Sequence, residues 1–252
     1  MSKEKFKAKD LGAYVLNLDR CNQRCLFCMK KEDIEKNPDI TEDRIIREIL
    51  LAKKKGYDKL DFFGGEPLVF PFLKRMLILA QKFDMKCMIA TNATLFFSPE
   101  FTEKFFHGLN VDHISVRTSM HSHKAADHDK ITRLRGSHKK TVAGVKNILR
   151  FNQKISANIV ITSLNYKDLS TITQFIYDLG LRGIKFSGLH MQGEIRNHPE
   201  LLIAEERIKD YVVEAARLAQ KLGFFHIEVE KVSKKLEKEL KKIKGVQFID
   251  TF

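Results

Sequence analysis

Three cysteines stand close together near the start of the chain, at Cys21, Cys25 and Cys28. Thiolates are soft ligands that prefer iron–sulfur clusters and zinc to hard cations. Three of them can bind three irons of a 4Fe–4S cubane and leave the remaining iron open to a further ligand. An aromatic residue, Phe27, precedes the last cysteine and is expected to pack beside the bound group. The spacing therefore predicts a site-differentiated 4Fe–4S cluster.

A structural zinc site is the main alternative for these cysteines. Such a site normally closes with four ligands. The only other cysteine, Cys87, lies in a strand-like apolar run and is expected to be a small core residue, and the nearest histidine, His107, is remote in sequence. A disulfide framework is also disfavoured, because 252 residues contain only 4 cysteines and no secretory signal. We therefore favour the cluster.

A second motif, Gly64-Gly65-Glu66-Pro67, follows the second predicted strand. Glycines let the backbone approach a neighbour or a ligand closely, and the proline restricts the turn that follows. On its own such a run is compatible with an ordinary loop. Its position after a strand and a three-cysteine loop favours a ligand-binding role.

Together these two motifs resemble the signature of the radical S-adenosylmethionine (SAM) superfamily. The resemblance implies a reduced cluster that donates one electron to the sulfonium of SAM, and a 5′-deoxyadenosyl radical that abstracts hydrogen from a substrate. It also implies that backbone carbonyls around Gly64–Glu66 accept the SAM amine. Arg117 is expected to pair with a carboxylate of SAM or of the substrate. Further positions that the resemblance places near SAM, on predicted strands three to six or directly after them, are Asn92, Ser115, Arg117, Asn158 and His190.

Two segments depart from the pattern of this family. Ala93 stands where the family usually has glycine, and alanine is less free to take a positive φ, so the turn is expected to differ slightly. The segment after the fourth predicted strand is rich in arginine and histidine. Its residues His121, His123 and His128 are expected to be solvated rather than metal-binding, and Ser137 is expected to cap the next helix.

Apolar, β-rich runs alternate with helical patterns along the chain, which predicts parallel β/α units. The six predicted strands are Ala13–Leu18, Leu60–Phe63, Lys86–Thr91, His113–Arg117, Ala157–Thr162 and Ile184–Leu189. The helical patterns cover Thr41–Lys55, Phe72–Phe83, Pro99–His107, Lys139–Phe151, Leu169–Leu179 and Ile203–Leu222.

The candidate site residues follow several successive strands, whose carboxyl ends meet at one mouth in a β/α barrel. A Rossmann-type sheet is less favoured, because no GxGxxG motif follows the first strand. Six units are fewer than those of a full barrel, so the predicted fold is a partial (β/α)6 TIM-like barrel, which the resemblance also implies. We assign this barrel to residues 1–223. Residues 224–252 are expected to form a C-terminal extension made of a short strand, Phe225–Val229, and a lysine-rich helix.

The composition, with 43% hydrophobic residues, allows a sizeable core, and no apolar run reaches the roughly 18 residues of a membrane span. We expect a soluble cytoplasmic protein without a membrane partner, since free thiols suit a reducing compartment. The formal net charge of +13 suits either a nucleic-acid partner or a lysine-rich surface like those of thermophile proteins. In the densest basic stretch, Lys231–Lys244, apolar residues recur at helical spacing, which favours the surface interpretation.

The resemblance implies three partners: SAM, a reductant such as flavodoxin or ferredoxin, and a substrate that is a peptide, a small molecule or RNA. No cysteine follows Cys87, which argues against relatives that depend on additional cysteine-bound clusters. Peptide or protein maturation and cofactor biosynthesis are the favoured reactions, with RNA modification as the alternative. Two alternatives of another class are an iron–sulfur electron carrier, which needs four cysteine ligands, and a zinc-containing basic RNA-binding protein.

Overall fold

The computed structural model describes residues 12–36, 40–151, 154–230 and 233–249. Within these residues, eight strands form one sheet in which every pair of neighbours is parallel and the strand order follows the chain order. The sheet curls into a half-barrel. Its strands are β1 (Tyr14–Leu18), β2 (Lys59–Gly64), β3 (Lys86–Thr91), β4 (Ile114–Ser119), β5 (Lys154–Val160), β6 (Gly183–Ser187), β7 (His226–Glu230) and β8 (Val246–Ile249).

Helices connect the strands and cover the outer face of the sheet. The α-helices are α1 (Lys31–Glu35), α2 (Glu42–Lys54), α3 (Leu73–Lys82), α4 (Pro99–Phe106), α5 (Ala125–Thr132), α6 (Ser137–Leu149), α7 (Leu169–Asp178), α8 (Glu205–Lys221) and α9 (Lys234–Leu240). Short 3-10 helices cover Pro67–Val69, Thr94–Phe97, Val111–His113, Tyr166–Asp168, Gly193–Asn197 and Pro199–Leu201. None of the helices in the described ranges is long and apolar enough to cross a bilayer.

Successive side chains along each strand point to opposite faces of the sheet. One face packs against the helices and forms the core, and the other lines the barrel interior. In β2, Leu60 and Phe62 are fully buried and belong to the hydrophobic core between sheet and helices. Their neighbours Asp61 and Phe63 point to the opposite, concave face and line the cavity there. The same alternation recurs in β4, where Val116 is buried on the helix side. The concave face is therefore free to carry polar and charged groups.

All six predicted strands are present, and the partial-barrel fold is confirmed. The predicted number of six strands is too low, because β7 and β8 continue the sheet in parallel. β7 is the strand expected in the extension, and it pairs directly with β6. The lysine-rich helix is shorter than its pattern: α9 covers Lys234–Leu240, while residues 231–232 lie outside the described ranges.

Candidate active site

A cavity of about 440 Å³ lies at the carboxyl ends of the strands. This volume is within the range of small-molecule binding sites. Most of the residues that the sequence analysis selected line it together, although they come from six different segments of the chain. These residues are Cys21, Cys25, Phe27, Cys28, Gly64, Gly65, Asn92, Arg117, Asn158 and His190.

The cysteine loop is held in place by backbone hydrogen bonds to its surroundings. The N–H of Leu26 donates to the carbonyl of Ile131 at the end of α5 (2.9 Å), and the N–H of Cys28 donates to the carbonyl of Cys25 (3.0 Å). On the other side, the N–H of Glu194 donates to the carbonyl of Cys28 (2.9 Å). The three thiols are thus presented to the cavity by a loop that is tied to two neighbouring segments.

The donor set of this loop fits an iron–sulfur cluster. Burial raises the pKa of Cys21 to about 12 and raises the pKa of Cys25 and Cys28 as well, so cluster binding has to displace protons from these thiols. Among the described residues, no group of three or more histidine, cysteine or acidic side chains is gathered closely enough to hold a single metal ion. Ligands to separate irons of one cubane do not need to converge in that way. Cys87 lies elsewhere, buried in β3.

The two glycines of the Gly64–Pro67 motif let this loop press against the cysteine loop. The N–H of Gly65 donates to the carbonyl of Leu18 (2.7 Å), and the N–H of Glu66 donates to the carbonyl of Arg20 (2.6 Å). A side chain at Gly65 would collide with the Arg20 carbonyl, and Gly64 has a φ of +122° that strongly favours glycine. Both glycines line the cavity.

Glu66 and Pro67 face away from the cavity. The Glu66 carboxylate is fully buried and accepts hydrogen bonds from the backbone N–H of Leu68 (3.1 Å), the hydroxyl of Thr91 (2.7 Å) and the backbone N–H of Asn92 (2.7 Å). Burial raises its pKa to about 7, while these three donors act in the opposite direction. The glutamate therefore joins the ends of β2 and β3, and Pro67 begins the short 3-10 helix after it.

Asn92 connects the turn after β3 to the cysteine loop. Its side-chain amide donates to Oδ1 of Asn22 (2.8 Å), and its own Oδ1 accepts the N–H of Thr94 (3.0 Å). The next residue, Ala93, has a φ of 57° and so adopts the left-handed conformation in spite of its side chain. Alanine at this position thus preserves the type of turn that glycine favours.

The structure corrects the placement of one predicted site residue, Ser115. This serine stands at the amino end of β4, where its hydroxyl donates to the carbonyl of Cys87 (3.5 Å), and it lines a second cavity at the opposite end of the barrel. Ser119, four residues later on the same strand face, lines the mouth cavity. The period of two places Ser115, Arg117 and Ser119 on the concave face but does not show which of them reaches the mouth.

The remaining predicted residues lie on the concave face with partners from this chain. Arg117 donates from Nη2 to Oε1 of Glu228 (2.8 Å), and Asn158 accepts the Ser187 hydroxyl on Oδ1 (2.8 Å). Nε2 of His190 lies 3.8 Å from a carboxylate oxygen of Glu230. Arg117 was expected to meet a carboxylate of SAM or of the substrate, and in this structure it pairs with a carboxylate of β7.

Two of the histidines expected to be solvated are buried. His121 lines the cavity, packs edge-on against Phe27 with ring centroids 4.9 Å apart, and stacks on His128 at 5.7 Å. Nδ1 of His121 accepts the N–H of Val160 (3.3 Å). Burial is the main reason why the pKa of both histidines falls below the usual value, so both are neutral at pH 7.

A compact turn joins α5 to α6. There the Asp129 carboxylate accepts hydrogen bonds from the N–H of Gly136 and of His138 (2.8 Å), and from the hydroxyl of Ser137 (2.9 Å). Asp129 therefore caps α6, whereas the predicted cap, Ser137, is its first residue. The hydrophilic composition of this segment conceals its burial from sequence reasoning.

Comparison with known proteins agrees with the geometry of this site. The sequence profile of the Radical SAM superfamily matches residues 18–176, which is more than half of the chain. A protein of the Thermoplasmatales archaeon strain ISO4-H5, named S-adenosylmethionine-dependent nucleotide dehydratase, is 29% identical over 163 residues. A probable GTP 3′,8-cyclase of Methanocella arvoryzae is 24% identical over 200 residues. The matches cover 64% and 76% of this chain, but only 54% and 61% of the two relatives.

Solved structures resemble the fold at low sequence identity. Streptococcus suis SuiB bound to S-adenosylmethionine aligns with a TM-score of 0.67 at 17% identity, over 86% of this chain and 49% of SuiB. The complex of SuiB with its precursor peptide SuiA gives the same TM-score at 16% identity. At this identity the similarity concerns the fold, and the chain spans about half the length of SuiB.

Proposed function

Because this chain belongs to the radical SAM superfamily, its cofactors are a 4Fe–4S cluster and SAM, and we propose that Cys21, Cys25 and Cys28 hold the cluster. When bound, these groups supply a 5′-deoxyadenosyl radical that abstracts a hydrogen atom from the substrate. One observation carries the proposal: three thiols and the Gly64–Gly65 loop meet at a single cavity at the carboxyl ends of the strands.

The residues around the thiols have distinct proposed roles. The carbonyls of Gly64 and Gly65 accept the amine of SAM, since both residues line the cavity beside the cysteine loop. Phe27 contributes an apolar wall next to the cluster, and Asn92 holds the turn after β3 against that loop. Asn158 and His190 line the opposite wall, where the adenosyl half of SAM is expected.

For the substrate we propose a peptide or a small molecule, in protein maturation or in cofactor biosynthesis. The eight strands form a half-barrel that leaves one side of the cavity open. Such an opening suits the entry of a peptide or of a small molecule. The names of the relatives include both kinds of reaction: nucleotide chemistry for the dehydratase and the cyclase, and a precursor peptide for SuiB. RNA modification stays the alternative, and nothing in the described residues favours it specifically.

The electron for the cluster is proposed to come from flavodoxin or ferredoxin. We also place the reaction in the cytoplasm, where thiols such as the four free cysteines of this chain stay reduced.

Anaerobic reconstitution tests the proposal. The protein, loaded with iron and sulfide and supplied with dithionite and SAM, is expected to form 5′-deoxyadenosine. Cys25→Ala is expected to lose the cluster and this activity, because a buried thiolate ligand is removed. Cys87→Ala is the matched control: it removes a thiol buried in β3 and is expected to keep both.

Two results contradict the proposal. One is a wild-type protein that binds zinc in place of the cluster, and the other is a cluster whose spectrum does not respond to SAM. An electron carrier shows the second result, and a zinc-containing RNA-binding protein shows the first. Loss of the cluster in Cys87→Ala would likewise indicate a four-cysteine site.

A further inference from the structure

Five charged side chains lie at the floor of the mouth cavity, and the roles proposed above do not include them. Asp61 stands on β2, Arg117 on β4, Lys185 on β6, and Glu228 and Glu230 on β7. We refer to these five residues as the floor cluster. Asp61, Arg117, Lys185 and Glu230 line the cavity itself, and Glu228 lies behind Arg117.

Both cations of the floor cluster are neutralised by carboxylates of β7. Nη2 of Arg117 lies 2.8 Å from Oε1 of Glu228, and Nζ of Lys185 lies 2.9 Å from Oε2 of Glu230. The two glutamate side chains are only 7% and 6% exposed. A phosphate entering the floor has to compete with these carboxylates and leave them buried without a counter-charge, which is strongly unfavourable.

Asp61 differs from the other members of the floor cluster. It forms no hydrogen bond and no ion pair with any residue in the described ranges, although it lines the same cavity. Oε2 of Glu228 is also buried without a hydrogen-bond partner there. The floor cluster therefore contains three carboxylates for two cations. Within the described ranges, its one buried donor without a partner is Nε of Arg117, whereas Asp61 and Oε2 of Glu228 both have free capacity for accepting hydrogen bonds.

Burial has a measurable consequence for Asp61. It raises the pKa of this carboxyl to about 6, although the charge of Arg117 acts in the opposite direction. A partly buried carboxylate is stabilised by a cationic hydrogen-bond donor, which contributes both a hydrogen bond and a positive charge. Among the described residues, no cation lies within ion-pair distance of the Asp61 carboxylate, and the cavity leaves this position open to a ligand.

We propose that the floor cluster is a substrate subsite that binds a protonated amine or a guanidinium through Asp61. The inference rests on the proposed function, because it assigns the space below SAM to the substrate. It narrows the substrate class to molecules with an organic cation, such as a basic peptide side chain or a small amine. It also excludes a diphosphate or triphosphate group from the floor.

Agmatine, which carries both an amine and a guanidinium, is the probe for this subsite, and pyrophosphate is the opposing probe. Calorimetric titrations of the cluster-loaded protein in the presence of SAM are expected to show saturable agmatine binding and no saturable pyrophosphate binding. Asp61→Asn keeps the shape of the side chain and is expected to weaken agmatine binding by about tenfold, as removal of one charged hydrogen bond does.

Asp43→Asn is the matched control for this substitution. It changes the net charge by the same amount, but Asp43 is an exposed residue in the first turn of α2 and lines neither the mouth cavity nor the second cavity, which Asp61 also reaches. Agmatine affinity is expected to stay at the wild-type value in this variant. Equal weakening by both substitutions would show a general effect of charge and would overturn the subsite.

Three further outcomes overturn the inference: no agmatine binding by the wild type at millimolar concentrations, equal binding by the wild type and Asp61→Asn, or pyrophosphate binding that Lys185→Met abolishes. The wild-type titrations decide the matter even where a variant does not fold. The proposed function is judged separately, from the change that SAM makes in the electron paramagnetic resonance spectrum of the reduced cluster. If the spectrum of the cluster responds to SAM but the protein does not bind agmatine, the proposed subsite is contradicted and the proposed function is not.

Discussion

The imidazole of His121 lies against Phe27, and one of its nitrogens is already engaged. Because Nδ1 accepts the N–H of Val160, the neutral ring carries its proton on Nε2. The ring lines the cavity, so Nε2 is the nitrogen that can donate to a ligand bound beside the cysteine loop. We therefore expect His121, which is held by the backbone of β5 and by the stacked ring of His128, to act as a positioning group for SAM.

Two substitutions at His121 separate this donor role from a structural one. Asn retains an oxygen that can accept the Val160 N–H but has no donor at the outer position, and we expect it to weaken SAM binding about tenfold. Gln places an amide near the position of Nε2, so its affinity is expected to lie close to that of the wild type. Titration of the cluster-loaded protein with SAM, followed by the visible spectrum, measures both. Full affinity in His121→Asn would show that the ring only supports the loop.

Glu66 belongs to the glycine-rich motif, but its contacts indicate a structural role. All three of its partners are donors, so Glu66→Ala leaves two N–H groups and a hydroxyl without their acceptor. At pH 5 we expect a loss of about 1–3 kcal/mol in the free energy of unfolding, the usual consequence of an unsatisfied buried group. Because burial raises the pKa of Glu66 to about 7, ionisation destabilises the wild type as the pH rises from about 5 to 7, so urea unfolding is expected to show a smaller loss at pH 8 than at pH 5.

Glu32→Ala is the control for Glu66→Ala. Its carboxylate is half exposed on α1, and its contact with Arg196 at 3.5 Å is a surface ion pair, so the expected change is within about 0.5 kcal/mol. A Glu66 variant as stable as this control would show that the carboxylate does not join the two strand ends.

Sequence reasoning found the cavity residues best where a motif has an obligatory backbone or ligand role. The two glycines belong to that group through their backbone contacts, and the three cysteines through the ligand role proposed for them. Ser115 and His121 show the limit of the method. A strand pattern identifies the face that a residue shares but not its depth in the barrel, and a polar segment gives no sign that its histidines are buried.

At the scale of elements, two loops that are distant in sequence form one unit. The N–H groups of Gly65 and Glu66 donate to carbonyls that precede the first cysteine, and this contact is possible only without a side chain at Gly65. The position of the cysteine loop therefore depends on the turn that follows β2. A change in the glycine loop is expected to act on the cluster from a distance.

Gly65→Ala tests this coupling of the two loops. The added methyl group meets the Arg20 carbonyl, and we expect about 3 kcal/mol of destabilisation together with a loss of bound iron. Gly12→Ala is the control, because a methyl group there meets no atom within 4 Å. Thermal unfolding and iron content measure the two effects. A Gly65 variant with normal iron content would show that the cysteine loop keeps its position without this contact.

The alternation of strands and helices is visible in the sequence, because the apolar patterns of both the strands and the helices are strong in the first six units. β8 is not visible, since it is an edge strand of four residues that follows a lysine-rich stretch. α5 is also missed, because its sequence is polar and its face against the barrel is formed by His128, Ile131 and Thr132. Short elements that depend on tertiary contacts are thus the ones that local patterns do not reveal.

At the scale of the whole molecule, the positive charge is spread over a surface that also carries glutamates. Around α9, Lys209 lies 2.6 Å from Glu239, and Lys241 lies 2.5 Å from Glu237. The apolar side of the same helix is buried through Leu236 and Leu240. This arrangement fits the interpretation of the basic stretch as a solvated face of a packed helix.

The division between a barrel of residues 1–223 and an extension of residues 224–252 is open to a direct test. β7 lies beyond this boundary, yet its Glu228 and Glu230 neutralise Arg117 and Lys185 inside the barrel. Removal of both carboxylates breaks two mostly buried ion pairs, at a cost of about 3–5 kcal/mol each. The sum is comparable to the whole stability of a typical domain. We therefore predict that the extension is an integral part of the fold.

A chain that ends at residue 223 is accordingly expected to lack a cooperative unfolding transition, because β6 also becomes an unprotected edge. A chain that ends at residue 244 keeps β7 and α9 and loses only β8, so it is expected to unfold cooperatively at a lower temperature. Circular dichroism during heating distinguishes the two. If the shorter chain unfolds cooperatively with its ion-pair partners gone, the floor of the barrel does not need β7, and residues 224–252 are an accessory to a self-sufficient core.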